Sequence, residues 1–242
     1  MQPPTAMIFA AGLGTRFKPW TDKHPKALAL INGKSLLQRN IEYLQHYGIH
    51  GVVVNVHHFA DQIIDAIQQN KGWGSNITIS DETDAVLETG GGLKKAAHFF
   101  SSTVSPIVII NVDILTDLDL GEMLKAHNTY QPLATLAVSD RSTSRYFLFD
   151  EEDTLAGWRN VSTGEEKISR KAERYVQKAF SGIHVISPAM LPLIHQEGKF
   201  SMVDVYLHLA KTQTIRGFDH SGSKFIDVGK PESVEKAQSL FP

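Results

Sequence analysis

Residues Ala10–Leu28 read AAGLGTRFKPWTDKHPKAL and follow the apolar run Thr5–Ala10 (TAMIFA), which has the character of a buried strand. Between Arg16 and Lys26 four cations, Arg16, Lys18, Lys23 and Lys26, stand against one acid, Asp22. Gly12 and Gly14 let backbone N–H groups approach an anion, because no Cβ stands in the way. Arg16 offers a planar fork for phosphate oxygens and Lys26 a point charge. Two familiar phosphate cradles fail here on single residues. The dinucleotide fingerprint needs a third glycine where Phe17 stands, and Pro19 opposes a helix beginning there. The P-loop needs a glycine five places before Gly33 of the GKS triplet Gly33–Ser35, and that residue is Leu28. What is left is a loop that wraps a nucleoside triphosphate, with a plain solvated basic loop as the alternative that spacing alone leaves open.

Outward from this loop, strands and helices alternate. Gly51–Val56, Asn76–Ser80 and Pro106–Val112 read as strands; Ser35–Tyr47, Ala60–Gln69, Gly91–Phe100 and Leu120–Tyr130 read as helices. The pattern predicts an α/β fold, a Rossmann-like mixed, mainly parallel sheet flanked by helices. Ligands of such sheets lie beyond the carboxyl ends of the strands, here after Ala10, Val56, Ser80 and Val112. The second half carries shorter strands at Leu133–Val138, Arg145–Phe149, Leu155–Trp158, Ala179–Ile186, Thr214–Phe218 and Lys224–Val228. Its helices are Pro188–Ile194, Val203–Lys211 and Pro231–Ser239, and the polar stretch Asn160–Arg174 reads as a loop or lid. We expect one domain over 1–242, with a nucleotide-binding half over about 1–130 and a sugar-binding half over about 131–242.

Composition narrows the classes. The 242 residues are 42% hydrophobic and 21% charged, with a net charge of −2, so no global field recruits nucleic acid or anionic membrane. There is no cysteine, which excludes disulfide scaffolds and thiolate metal sites. The start, MQPPTAMIFAAG, has no basic n-region and too short an apolar run for a signal peptide or span, so a cytoplasmic protein is expected. His57 and His58 are adjacent on a strand end and point opposite ways, which opposes a metal pair.

The opening stretch resembles the signature of sugar-1-phosphate nucleotidyltransferases, G-x-G-T-R-x-x-P-x-T followed by P-K-P. Gly12, Gly14, Thr15, Arg16, Pro19, Thr21, Pro25 and Lys26 match, and Ala27 stands where proline is usual. INGKSLLQRNIEYL at 31–44, LETGGGLKKA at 87–96, IINVD at 109–113 (Val112 replacing a glycine) and FIDVGKPESVEKA at 225–237 resemble further family landmarks in the same order. The fold this implies is of the nucleotide-diphospho-sugar transferase type, and the activity is transfer of a nucleotidyl group from an NTP to a sugar 1-phosphate with release of pyrophosphate.

The resemblance implies roles for individual residues. Arg16 holds the β- and γ-phosphates, Lys26 meets the α-phosphate or the sugar phosphate, and Asp113 and Asp227 hold Mg²⁺. The base lies over Ala10, Ala11 and Gly12 and against Thr89, Gly90 and Gly91, with Gly14 and Thr15 in the phosphate loop and Asn55 at the base or ribose. The sugar meets Gly182, in Phe180–Ile183, with Glu166, Lys178, Arg141 and Arg145 as candidate contacts. Asp117 and Asp119 read as helix-entry residues. The LETGGG loop most resembles N-acetylmuramate-1-phosphate uridylyltransferases; guanylyl transfer to mannose or heptose 1-phosphate is the alternative. The chain carries no hexapeptide repeat, so no β-helix extension is expected. A non-catalytic nucleotide-sugar sensor is a third reading, opposed by the presence of Arg16, Lys26 and both aspartates. The sequence assigns no oligomeric state.

Overall fold

The structure is a computed structural model that describes residues 5–242. Met1–Pro4, read above as part of a start without a leader, lie outside the described residues. Strand β1 (Thr5–Phe9) leads into the basic loop, then the small ribbon β2 (Leu30–Ile31) and β3 (Lys34–Ser35) and helix α1 (Leu36–His46). There follow β4 (Gly51–Val56), α2 (Ala60–Gln69), β5 (Asn76–Asp81), α3 (Glu88–Ala96), β6 (Ile107–Asn111), β7 (Ile114–Thr116) and α4 (Leu120–Tyr130). The second half supplies β8 (Ala134–Ser139), β9 (Arg145–Phe149), β10 (Leu155–Asn160), β11 (Glu165–Ile168) and β12 (Val176–Ile186). It closes with α5 (Met202–Leu209), β13 (Ile215–Asp219), β14 (Phe225–Asp227) and α6 (Ser233–Leu240).

One mixed, mainly parallel sheet takes strands from both halves, in the order β11-β10-β9-β12-β6-β1-β4-β5, with β8 and β13 branching beside β12. Strands β6, β1, β4 and β5 are mutually parallel. Strand β12 runs antiparallel to both β6 and β8, which gives β8 and its parallel partner β13 the direction of β6. All their carboxyl ends therefore open on one edge. The central strands are apolar on both faces because helices cover both. Ala6 and Ile8 of β1 enter one core with Leu37, Ile41 and Leu44 of α1; Met7 and Phe9 enter the other with Val205 and Tyr206 of α5.

The local signals behave as their chemistry dictates. Ser35 caps α1, its hydroxyl accepting from Gln38 N at 3.1 Å, and Asp119 caps α4 by accepting from Glu122 N at 3.0 Å. Asp117 serves differently from the helix-entry role expected of it: its carboxylate accepts from Lys224 N at 2.7 Å and pins the approach to β14. Asn160–Arg174 is corrected in part from loop or lid: 161–164 is a turn and 169–174 is irregular, but Glu165–Ile168 is a strand. Residues Glu165–Ile168 pair with β10, Ser169 Oγ donates to Leu207 O at 2.7 Å, and Arg170 Nε donates to Ala210 O at 2.7 Å, so backbone carbonyls of the α5 region tie the segment down. Among the described residues no helix is long and apolar enough to cross a membrane.

Two core histidines are held neutral. Burial pushes the His127 imidazole down to about 4 and that of His184, bonded through Nδ1 to Tyr206 Oη, down to about 3. Both values lie below the ordinary 6.5, so the unfolded chain binds more protons and stability falls as pH drops from about 6.5 toward 4. The expected slope is up to about 1.4 kcal/mol per pH unit for each histidine. Urea unfolding measured from about pH 7 to pH 5 checks this; a flat midpoint over that range contradicts it.

Candidate active site

The basic loop lines a cavity of about 600 Å³ beyond the ends of β1, β4 and β6. Ala10, Ala11, Gly12, Gly14, Thr15, Arg16, Lys26, Asn55, Thr89 and Asp113 all border it. The loop's shape follows from its residues. Gly14 has φ 62°, where a Cβ would also come 2.7 Å from Thr21 Cγ2, and its carbonyl accepts from Phe17 N at 2.8 Å and Thr21 Oγ1 at 2.9 Å. A Cβ on Gly12 would meet nothing within 4 Å, so the backbone there faces open space that a ligand can enter. Phe17, which breaks the dinucleotide fingerprint, is 3% exposed and anchors the loop in the core beside Ala27.

Asn55 does more than end a strand. Its Oδ1 accepts from Ala10 N at 2.7 Å, and its Nδ2 donates to Glu82 Oε1 at 2.8 Å. Both side chains are buried, and a Cβ on Gly92 would come 2.7 Å from Glu82 Oε1, so the chain Glu82–Asn55–Ala10 is packed from behind. Burial raises the Glu82 carboxyl, and the Asn55 amide counters part of that. Removing the amide orphans one buried N–H and one buried carboxyl. We expect Asn55→Ala to cost about 2 kcal/mol in urea unfolding and to raise the KM for NTP about tenfold through the freed Ala10 backbone. Asn55→Ala with an unchanged KM would remove Asn55 from the site.

The charged centre lies where β6 ends. Lys26 Nζ donates to Asp113 Oδ2, both side chains being 14% exposed. The pairing of β14 with β7 sets Asp227 opposite Ile114, and Val228 N donates to Asp113 O at 2.8 Å, which draws the two acids together. Desolvation and the charge of Asp113 push the Asp227 carboxyl up, against the pull of Lys26, Arg16 and Arg141. Gly229 allows the close approach of Arg16: a Cβ there would come 2.7 Å from Asp227 Oδ1 and 3.1 Å from Arg16 Nη2. Two acids that repel each other beside the cations Arg16 and Lys26 form a donor set suited to a hard divalent cation. Among the described residues no three acids or histidines cluster, so a cation here would complete its shell from phosphate oxygens and water.

Other expected residues are placed elsewhere. Gly90 and Gly91 do not border the cavity; they pack against Phe200 and the Gly198 carbonyl, and their neighbours Leu87, Glu88 and Thr89 face the opening. Glu166 lies on the β10–β11 hairpin, paired with Arg159 at 2.8 Å, outside the cavity lining. Lys178 is clamped by Asp140 at 2.5 Å and Asp219 at 2.6 Å, bracing the start of β12 to the ends of β8 and β13. Gly182, at φ 72°, lies within the register shift of β12, where a Cβ would come 2.7 Å from Asn111 Nδ2. The His57 ring bonds the Glu82 carbonyl at 2.7 Å, apart from exposed His58. Sequence reasoning missed Glu82, Asn111, Lys199 and Ser201, which all border the cavity. Glu82 and Asn111 are polar residues at strand ends, a signal that the strand-edge rule offers.

A parallel-core sheet with a cation-rich glycine loop and a facing pair of acids defines a nucleotide-binding transferase of the α/β class. The chain belongs to the nucleotidyl transferase family, which residues 5–241 match. It is 29% identical to the N-acetylmuramate alpha-1-phosphate uridylyltransferase of Caulobacter vibrioides, over 98% of this chain and 96% of that protein. A mannose-1-phosphate guanyltransferase of Yarrowia lipolytica is 26% identical over 97% of this chain, which spans 63% of that enzyme's length. Among solved structures, HddC from Yersinia pseudotuberculosis complexed with GMP-PN superposes with a TM-score of 0.78 at 24% identity, covering 99% of this chain and 100% of that one. UDP-glucose pyrophosphorylase complexed with UDP-glucose gives 0.79 at 16% identity, covering 99% and 98%. The curated relatives are sugar-1-phosphate nucleotidyltransferases, and this chain is an enzyme of that kind.

Proposed function

We propose that the chain transfers a uridylyl group from UTP to N-acetylmuramate 1-phosphate or a related amino-sugar 1-phosphate, releasing pyrophosphate. The observation that carries this reading is end-to-end similarity to N-acetylmuramate alpha-1-phosphate uridylyltransferases, from Caulobacter vibrioides at 96% of its length and Neisseria meningitidis at 97%. A phosphate oxygen of the sugar phosphate attacks the α-phosphorus in line, and the bond to the pyrophosphate oxygen breaks. The nucleophile is already an anion, so no general base is required. Catalysis is then positioning and charge stabilisation. Arg16 holds the β- and γ-phosphates and follows the leaving pyrophosphate, while Lys26 sits at the α-phosphate. Asn55 and Glu82 fix the Ala10 backbone under the base, with Ala11, Gly12 and Thr89 beside it. Asp113 and Asp227 would hold Mg²⁺, which neutralises charge on the transferring phosphate when bound. Nucleotide and sugar phosphate occupy the first and second halves of one domain, and these substrates place the enzyme in the cytoplasm.

Guanylyl transfer to mannose or heptose 1-phosphate is the second reading, favoured by the similarity to the Yarrowia guanyltransferase. Pyrophosphate release over a panel of NTPs and sugar 1-phosphates with Mg²⁺ decides between them. The expected result is a kcat/KM at least about tenfold higher for UTP with N-acetylmuramate 1-phosphate than for GTP with mannose 1-phosphate. The reverse order overturns the first reading; no turnover with any pair despite tight NTP binding means a sensor.

A further inference from the structure

The cavity lined by the glycine loop has two unlike ends. The strand order β6-β1-β4-β5 puts Asn111 and Asp113 on one side, then the glycine loop, then Asn55 and Glu82. The charged centre of Asp113, Asp227, Arg16 and Lys26 belongs to the β6 side. Helix α3 packs against β4 and β5, so Leu87, Glu88 and Thr89 wall the other end.

Most polar side chains on that wall are already committed. Asn55 and Glu82 bond each other, and Asn55 also holds Ala10 N. Thr89 Oγ1 accepts from Met202 N at 3.0 Å, and Ser201 Oγ accepts from Val203 N at 3.1 Å. Glu88 is different. Among the described residues its carboxylate has one partner, Lys199 Nζ at 3.4 Å, with side chains 47% and 59% exposed. A pair so long and so exposed contributes little to stability.

The backbone says that residue 88 is glutamate for the sake of its side chain. Glu88 opens α3 at φ 57°, the left-handed region that glycine takes freely and an L side chain resists. The residue is exposed, so no buried packing offsets that strain. A strained, unpacked acid at the mouth of a cavity points to use of its carboxylate there.

A carboxylate only accepts hydrogen bonds, and it repels phosphate. The part of a nucleoside triphosphate that suits it is therefore uncharged and rich in donors. Ribose offers two adjacent donors, the 2′- and 3′-hydroxyls, which match the two oxygens of a carboxylate. Uracil offers one ring N–H between two carbonyl oxygens, a poor match. Resting on the nucleotide placement proposed above, we propose that Glu88, steadied by Lys199, accepts from the ribose diol and makes the enzyme select ribonucleoside over 2′-deoxyribonucleoside triphosphates. UTP and GTP share this diol, so the selection holds whichever base is transferred.

The test pair is UTP and dUTP with N-acetylmuramate 1-phosphate and Mg²⁺; if GTP with mannose 1-phosphate is turned over instead, GTP and dGTP take their place. Wild type is expected to favour the ribonucleotide at least about tenfold in kcat/KM, through KM, and Glu88→Gly to bring that ratio within about threefold of one. Glu88→Gln, which keeps an acceptor oxygen, is expected to show an intermediate ratio. Glycine takes φ 57° freely, so Glu88→Gly is expected to melt within a few degrees of wild type, which separates lost recognition from lost folding. If Glu88→Gly does not fold, Glu88→Asn, shorter and tolerant of the left-handed region, is read by the same ratio. A wild type that does not discriminate, or a ratio the variant leaves unchanged, overturns the proposal. So does a variant that alters UTP against GTP while keeping UTP against dUTP, because Glu88 then reads the base.

If no NTP and sugar phosphate pair is turned over, the assigned reaction has failed and the ribose contact is judged by calorimetric titration with UTP, dUTP, GTP and dGTP. A Kd ratio of at least about tenfold in favour of the ribonucleotide, removed by Glu88→Gly, supports it. Equal Kd values for ribo and deoxy forms, or no binding of any of the four, overturn it.

Discussion

Asp113→Asn is expected to lower kcat by about 10³-fold or more while leaving thermal unfolding within a few degrees of wild type. The two halves of this expectation have separate causes. Asparagine keeps the size of the side chain and an oxygen that can still accept from Lys26 Nζ, so the local packing at the end of β6 survives. The backbone tie from Val228 N to the residue 113 carbonyl, at 2.8 Å, is untouched. Lys26 does not become an isolated cation, because its charge also acts on Asp227. What is lost is one of two neighbouring negative charges, half of the donor set proposed to hold a divalent cation at the transferring phosphate. Pyrophosphate release and a melting curve on the same preparation read both halves. Activity within about tenfold of wild type would remove Asp113 from the charged centre, and a collapse in stability would make its role structural.

The shape of the glycine loop was legible because its departures from known motifs fall on single residues. Phe17 and Leu28 break two better-known phosphate motifs, and Phe17 proves to be a core anchor whose ring a third glycine could not supply. The strands and helices of the first half follow their periodicity closely; Gly51–Val56, Ala60–Gln69 and Leu120–Tyr130 coincide with the observed elements. The ribbon pairing β7 with β14 was less legible. Three-residue strands carry no period of their own, and their partners are more than a hundred residues apart. The hairpin strand β11, Glu165–Ile168 (EEKI), was invisible for another reason: all four residues are exposed, so no alternation of apolar and polar marks it. Glu166 and Lys178 were drawn toward the sugar by charge alone; Glu166 is satisfied across its own hairpin by Arg159, and Lys178 by acids about forty residues away on either side, which composition cannot reveal. The partnerless buried atoms of Ser139, Arg141 and His220 are likewise a property of packing, arising where the segments that follow β8 and β13 meet at one edge of the sheet.

Gly91→Ala is expected to destabilise the chain by about 3 kcal/mol and to raise the KM for NTP. The sequence suggests that the glycines of LETGGG make room for a base, yet the crowding at Gly91 comes from the protein itself. A Cβ there would come 2.3 Å from the Gly198 carbonyl oxygen and 3.0 Å from Leu87 Cβ. The nearer atom is backbone, so no rotamer change relieves the clash. This contact is part of a junction that also includes Gly90 N donating to Phe200 O at 2.9 Å, Phe200 N donating to Leu87 O at 3.2 Å and Met202 N donating to Thr89 Oγ1 at 3.0 Å. The same junction carries Lys199, Ser201 and Thr89 to the wall of the cavity proposed for the nucleotide, so prying it apart moves the wall. Gly198→Ala is the matched control. Its φ is 69°, but a Cβ would meet nothing within 4 Å, so it costs only the left-handed backbone, about 1 kcal/mol. Urea unfolding of the two variants separates the causes: if Gly91→Ala is no worse than Gly198→Ala, close backbone approach is not what holds this glycine. If Gly91→Ala is destabilised with its KM unmoved, the junction braces the fold without shaping the nucleotide site.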